Sequence, residues 1–317
     1  MKINRMIQPN NQNFVNMPRI FLCVCILILT LTISTAQTDE EDLSLEERVE
    51  NLGLDNTDTG EKVFYSKGYL ARGNAISQQI EKARIFYLDS LGIEVELSIA
   101  LLDTADYNKV SPGIPYGLPF VSFENLVFLP ADTSLGAVKE MYAPFKETAS
   151  EAILSSLRKV GFAYEEALRR MVDLIGFHEL GHVQNDAYAI DSKQPWFDEF
   201  MASYFCYTYL QHNEPTLAII WNSITRAGFE GHTPRYTSLD DFNELYFGVG
   251  VGDYSWFQNA FQERIRAVYP QKGIDFIRLV QKRLSDPAFK PETANELLEV
   301  LEEIEPGFVE WANSLKN

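Results

Sequence analysis

Residues 164–182 read YEEALRRMVDLIGFHELGH. Tyr164, Leu168, Met171, Ile175, His178 and His182 follow one another at spacings of 4, 3, 4, 3 and 4, the repeat of one helix face. Glu165, Glu166, Arg169, Arg170 and Asp173 fall on the opposite face. The two histidines therefore extend an apolar stripe and are expected to be buried. Imidazoles four residues apart on a helix point the same way and can share one metal ion, and Glu179 between them can reach a water at that ion. The alternative is a pair of core histidines satisfied by hydrogen bonds.

A catalytic zinc needs three protein ligands and an open position. Downstream, residues 195–204 read PWFDEFMASY, and from Phe200 to Leu210 only Ser203 and Thr208 interrupt an apolar and aromatic run. Pro195 suits the first position of a helix, and that helix is expected to be buried nearly all round. A carboxylate there is costly unless it meets a cation, which makes Glu199 the candidate third ligand. The competing reading keeps Asp198 and Glu199 in a solvated first turn, where they favour the helix dipole. Cys206, two turns beyond Glu199, reads as core.

The pairing of H-E-L-G-H with Trp196, Asp198, Glu199, Ala202 and Tyr204 in a W-x-[DN]-E-x-x-A-x-Y segment resembles the gluzincin metallopeptidases. The second segment is most similar to the aminopeptidase branch that contains leukotriene A4 hydrolase. The resemblance implies a zincin-like fold, one Zn²⁺ per chain on His178, His182 and Glu199, and Glu179 as general base. Sixteen residues separate His182 from Glu199, slightly fewer than in that branch. The same resemblance implies a transition-state tyrosine at the start of a later helix. Gly252-Asp253-Tyr254-Ser255-Trp256-Phe257 opens such a helix, with Phe257 where a small residue is usual. Tyr254 is the candidate, His232 and Tyr236 are its rivals, and a core role for Tyr254 is the alternative. Ser122-Phe123-Glu124-Asn125 is faintly similar to the family's amino-terminus-binding strand, so Glu124 is carried as a candidate substrate contact.

Working outward, residues 62–66 and 93–102 read as strands, 74–91 as an amphipathic helix, and 120–130 as one or two further strands. A strand around 119–129 at a sheet edge beside the histidine helix would suit an extended peptide. Past Ala131 the pattern is helical, over 147–160, 163–186, 195–211, 215–227, 238–246, 254–268, 272–284, 292–304 and 306–315. A sheet-bearing half (62–190) followed by a helical half (191–317) is an α+β architecture. Residues 37–61, acidic and poor in aromatics, read as a solvated lead-in with room for one short helix.

The amino terminus points to export. Residues 21–33, FLCVCILILTLTI, follow Arg19 and precede Ser34-Thr35-Ala36, the pattern of a signal peptide over residues 1–36, with Met17 as a possible true start. The alternative is a single membrane anchor, but the run is shorter than the ~20 apolar residues of a span, so no stable span is expected after cleavage. Losing Lys2, Arg5 and Arg19 and no acid takes the formal charge from −18 to −21. Nucleic acid is a poor partner for such a surface. Cys206 is then the only cysteine, so no internal disulfide is expected.

The expectation is an exported, secreted or periplasmic, zinc-dependent peptidase acting on peptide or protein. The competing functions are a zincin-like module that binds or assists envelope assembly without turnover, and a metal-free helical adaptor.

Overall fold

The computed structural model describes residues 43–57, 60–134, 136–246, 248–286 and 291–316. The expected signal peptide, with Cys23 and Cys25, lies outside the described residues. In chain order the first half comprises α1 (Leu45–Asn51), β1 (Asp55–Asn56), β2 (Lys62–Tyr65), α2 (Leu70–Leu91), β3 (Ser98–Leu102), α3 (Thr104–Val110), β4 (Phe120–Val121) and β5 (Leu126–Pro130). The second half is helical: α4 (Ala137–Tyr142), α5 (Glu151–Lys159), α6 (Tyr164–Ala187), α7 (Pro195–Asn213), α8 (Pro215–Gly231), α9 (Leu239–Glu244), α10 (Val251–Lys272), α11 (Asp275–Leu284), α12 (Ala294–Ile304) and α13 (Phe308–Ser314). Among the described residues no helix is long and apolar enough to cross a membrane.

The strands form one mixed sheet in the order β1-β2-β3-β5-β4, parallel through β2, β3 and β5 and antiparallel at both edges. Alternation along each strand divides its side chains between two cores. Val63, Ile99, Leu101, Val127 and Leu129 join the large core shared with the helical half. Phe64, Ala100, Leu102, Phe120, Leu126 and Phe128 face a smaller core on the other side. The fold is thus α+β, as expected, with the sheet covered on both faces.

Two expectations are corrected. Residues 43–57 are not a solvated lead-in: α1 is closed by a Ser44–Glu47 capping box and buries Val49 completely in the smaller core, and β1 pairs with β2. The acidic side chains lie on the outward face of that helix, and charge alone hid the inward one. The strand expected over 93–102 begins only at Ser98; residues 93–97 precede it outside the ladder, with Ile93, Val95 and Leu97 buried and Glu94 and Glu96 outward. Helices α3 and α4 were not anticipated, and the helix expected over 147–160 starts at Glu151 after a 3₁₀ turn at Ala143–Lys146.

Candidate metal centre

Helix α6 begins where Glu166 reaches back to the backbone N–H of Ala163 at 3.1 Å, and it runs through the core beneath β5 and β4. From Gly176 to Asn185 it is buried all round, so His178 and His182 are only 5 % and 3 % exposed. Helix α7 starts at Pro195, with the N–H of Trp196 donating to Asn243 Oδ1 of α9 at 3.1 Å. The two helices cross with the backbone of α7 against Gly181, where no side chain intervenes. That crossing carries Glu199, 0 % exposed, to the histidines.

Glu199 Oε2 lies 3.1 Å from His178 Nε2 and 3.5 Å from His182 Nε2. One ligand atom from each of the three residues falls within a sphere of contacts no longer than 4.8 Å, and this buried group could hold one metal ion. The reading that placed Asp198 and Glu199 in a solvated first turn is overturned, since both are buried. Cys206 is core, its thiol 3.7 Å from the Leu174 carbonyl oxygen.

Partners around the group fix its orientation. Ser203 Oγ meets His178 Nδ1 at 3.0 Å, which leaves Nε2 facing Glu199. The Tyr246 hydroxyl donates to Glu199 Oε1 at 2.5 Å, and Gln258 Nε2 donates to Oε2 at 2.6 Å. Gln258 Nε2 also bonds to the Tyr254 hydroxyl at 3.0 Å. Sequence reading missed Ser203, Tyr246 and Gln258 as site residues. Ser203, a polar interruption one turn after Glu199 on a buried helix, carried a signal; Gln258, one turn after Tyr254, carried a weaker one. Tyr246 arrives from the α9–α10 connection with no local pattern to mark it.

Burial and charge set the protonation of the cluster. Burial draws the His182 imidazole down, but the adjoining Glu199 carboxylate, with Glu179 and Asp198 behind it, outweighs this and lifts it to about 9. Burial would raise Glu199, yet His182 and His178 hold it well below the usual carboxylate range. His178 is lowered, by burial first. Burial pushes the Glu179 carboxyl up to about 8, with the Glu199 charge adding and the His182 charge opposing. Two buried acidic side chains, Glu179 and Glu199, thus share a pocket with His182, the imidazole whose protonated form they favour. A divalent cation on two imidazole nitrogens and one carboxylate oxygen suits that charge balance and is a donor set zinc accepts.

Glu179 is 2 % exposed and takes a hydrogen bond from the backbone of Val121, while its Oε2 is buried with no hydrogen-bond partner. Of the remaining candidates, Tyr254 lines a cavity of about 100 Å³ together with His178 and Glu179. His232 bonds through Nε2 to Asp253 Oδ1 at 3.0 Å and does not line that cavity. Tyr236 packs on the core beneath Arg235. Glu124 stands exposed at the turn between β4 and β5, outside this cavity and outside a second one beside His182, so the structure does not bring it to the metal group. Compared with family models, curated proteins and solved structures, the chain matches none.

Proposed function

We propose that this chain is an exported zinc peptidase with a zincin-like catalytic domain. The observation that carries the reading is Glu179: a buried carboxylate with an unpartnered oxygen, one residue from a metal-ligating histidine and bonded to the sheet's edge strand. A site that only braces a fold has no use for such a base. Zinc on His178, His182 and Glu199 supplies Lewis acidity toward a peptide carbonyl. Glu179 accepts the proton of the attacking water and hands it to the leaving amine. Tyr254, its hydroxyl bonded to Gln258, donates to the oxyanion that develops on the carbonyl.

The edge strand favours a peptide. Ser122 N–H donates to the Leu126 carbonyl at 2.9 Å, and Val121 is registered with Val127, so Val121 belongs to a pair not bonded to β5. Its N–H and C=O therefore point away from the sheet, the N–H to Glu179 and the C=O toward an added strand. Export is supported by the apolar run at residues 21–33 with the small residues that follow it. A formal charge of −18 argues against nucleic acid as substrate.

The test is zinc content of the purified protein by mass-spectrometric metal analysis, together with cleavage of a peptide library. Near-stoichiometric zinc is expected in the wild type and a loss in Glu199→Ala and His182→Ala. Glu179→Gln should keep zinc and lose at least ~10²-fold in turnover. Zinc with no cleavage would leave a binding module, and a wild type that takes no zinc would leave the adaptor.

A further inference from the structure

Helix α10 reaches the metal group through two residues one turn apart. Tyr254 and Gln258 are spaced i, i+4 and so project from one face of that helix. The Tyr254 ring is stacked on Phe242 of α9, with centroids 5.7 Å apart and planes 25° apart, and the Tyr246 ring stands 6.2 Å away. Packing of this kind fixes where the phenolic oxygen sits but not which way its proton turns. That choice falls to Gln258, whose Nε2 lies 3.0 Å from the Tyr254 hydroxyl and 2.6 Å from Glu199 Oε2.

Donor counting gives these contacts a direction. A primary amide nitrogen carries two protons, and a carboxylate oxygen can only accept. Glu199 therefore selects the nitrogen end of the Gln258 amide, because the flipped amide would set oxygen against oxygen. One amide proton goes to Glu199 and the other to the Tyr254 oxygen. A hydroxyl that accepts from Gln258 cannot donate to it, so its own proton is turned to another side. Tyr254 lines the same cavity as His178 and Glu179. We infer that Gln258 is a positioning residue that passes orientation from a metal ligand to the oxyanion donor: Glu199 aligns the amide, and the amide holds the Tyr254 hydroxyl as a donor to substrate. The inference rests on the peptidase reading above. A hydroxyl aligned before the reaction needs no reorganisation when charge develops on the carbonyl. Asparagine at position 258 would keep an amide but, one methylene shorter, could not span both contacts. Methionine would keep the length and lose the donor.

A double-mutant cycle tests this on the full zinc-loaded chain. The readouts are steady-state cleavage of one peptide taken from the library, calorimetric affinity for the phosphinic-acid isostere of that peptide, and zinc affinity by chelator competition. Tyr254→Phe alone should lower kcat about 10²-fold and change KM less than about threefold, as loss of a donor used only in the transition state does. Gln258→Met should lower kcat at least about tenfold. In the Gln258→Met background, Tyr254→Phe should cost no more than about tenfold, because a hydroxyl no longer held in place contributes little, and affinity for the isostere should show the same non-additivity. Gln258→Asn, which keeps a polar amide at this half-buried position, should behave like Gln258→Met. Zinc affinity should fall about tenfold in Gln258→Met, which loses the contact to Glu199, and stay within about twofold of wild type in Tyr254→Phe. Additive losses, a Gln258→Asn protein with wild-type kcat, or a Gln258→Met protein with wild-type zinc affinity overturns the inference and leaves the peptidase reading standing. A zinc-loaded wild type that cleaves no peptide overturns both.

Discussion

A methyl group placed on Gly181 would sit 2.3 Å from the carbonyl oxygen of Ala202 and 2.9 Å from its Cα. Helices α6 and α7 meet there backbone to backbone, and the contact lies between His178 and His182 on one side and Glu199 on the other. The distance from Glu199 Oε2 to either histidine is therefore set by the absence of a side chain at position 181.

Gly181→Ala must force the helices apart, because the obstruction is backbone and not a flexible side chain. Overpacking of this kind costs about 1–3 kcal/mol of stability. The larger effect is expected in metal binding, since a shift of a few tenths of an ångström displaces Glu199 from both imidazoles at once. Zinc affinity should fall at least about tenfold in a competition titration against a chromogenic chelator, while far-ultraviolet circular dichroism stays helical. An alanine variant that melts lower yet binds zinc as tightly as wild type would show that the crossing does not govern the site.

Ser203 gives a second prediction. Its hydroxyl, 3.0 Å from His178 Nδ1, is the contact that turns Nε2 toward Glu199. Ser203→Ala should weaken zinc binding by about 10- to 100-fold, as loss of a ligand's outer hydrogen bond commonly does. Tyr246→Phe, which removes the 2.5 Å bond to Glu199 Oε1, should act in the same direction. If both variants bind zinc like wild type, the ligands are held by packing alone.

How much of this was legible in the sequence depended on whether the information was local. The 4, 3, 4, 3, 4 repeat fixed α6 because a continuous buried stripe has one reading, and the apolar surroundings of Glu199 marked it as a carboxylate needing a cation. Alternating apolar residues located β2, β3, β4 and β5. Helix α3 leaves no periodic signal, although Asp103 caps it by accepting from Ala105 N–H at 2.9 Å and Asp106 N–H at 3.0 Å; seven residues are too few to show a period. The six-residue α4 depends on Gly136, held at φ +97° with its α-carbon turned against the Tyr116 carbonyl, a constraint set by a loop twenty residues earlier. Tyr246 reaches Glu199 across 47 residues, and no spacing rule spans such a gap.

A pH dependence is expected at the carboxyl-terminal end. Both oxygens of Glu302 accept from Gly307 N–H at 2.9 Å, and Oε2 accepts from Val309 N–H at 3.0 Å. These backbone bonds, Gly307 first, hold its carboxyl below the ordinary range. A carboxyl lower in the folded than in the unfolded chain stabilises the fold above its unfolded value of about 4.3 and ceases to do so as pH falls through its folded value. Glu302→Gln should therefore be less stable than wild type at pH 7, by about 0.5–1 kcal/mol in urea titration, and the gap should close toward pH 3. A gap that persists undiminished at pH 3 would mean that ionisation of Glu302 is not what stabilises this turn.

The last prediction concerns the segment that composition marked as solvated. Val49 is fully buried against the sheet face that carries Phe64, Leu102 and Phe128, and Arg48 ties α1 down by donating to the carbonyls of Leu43 at 3.1 Å and Val110 at 3.3 Å. Val49→Ala removes two methyl groups from a closed core and should cost about 1.5–3 kcal/mol. An acidic, solvent-facing segment would lose almost nothing. The sheet separates Val49 from α6, whose residues belong to the core on the other face. Zinc affinity at 25 °C should therefore stay within about twofold of wild type while the melting temperature drops by several degrees. Loss of zinc affinity in proportion to stability would instead couple the amino-terminal helix to the metal centre through the sheet.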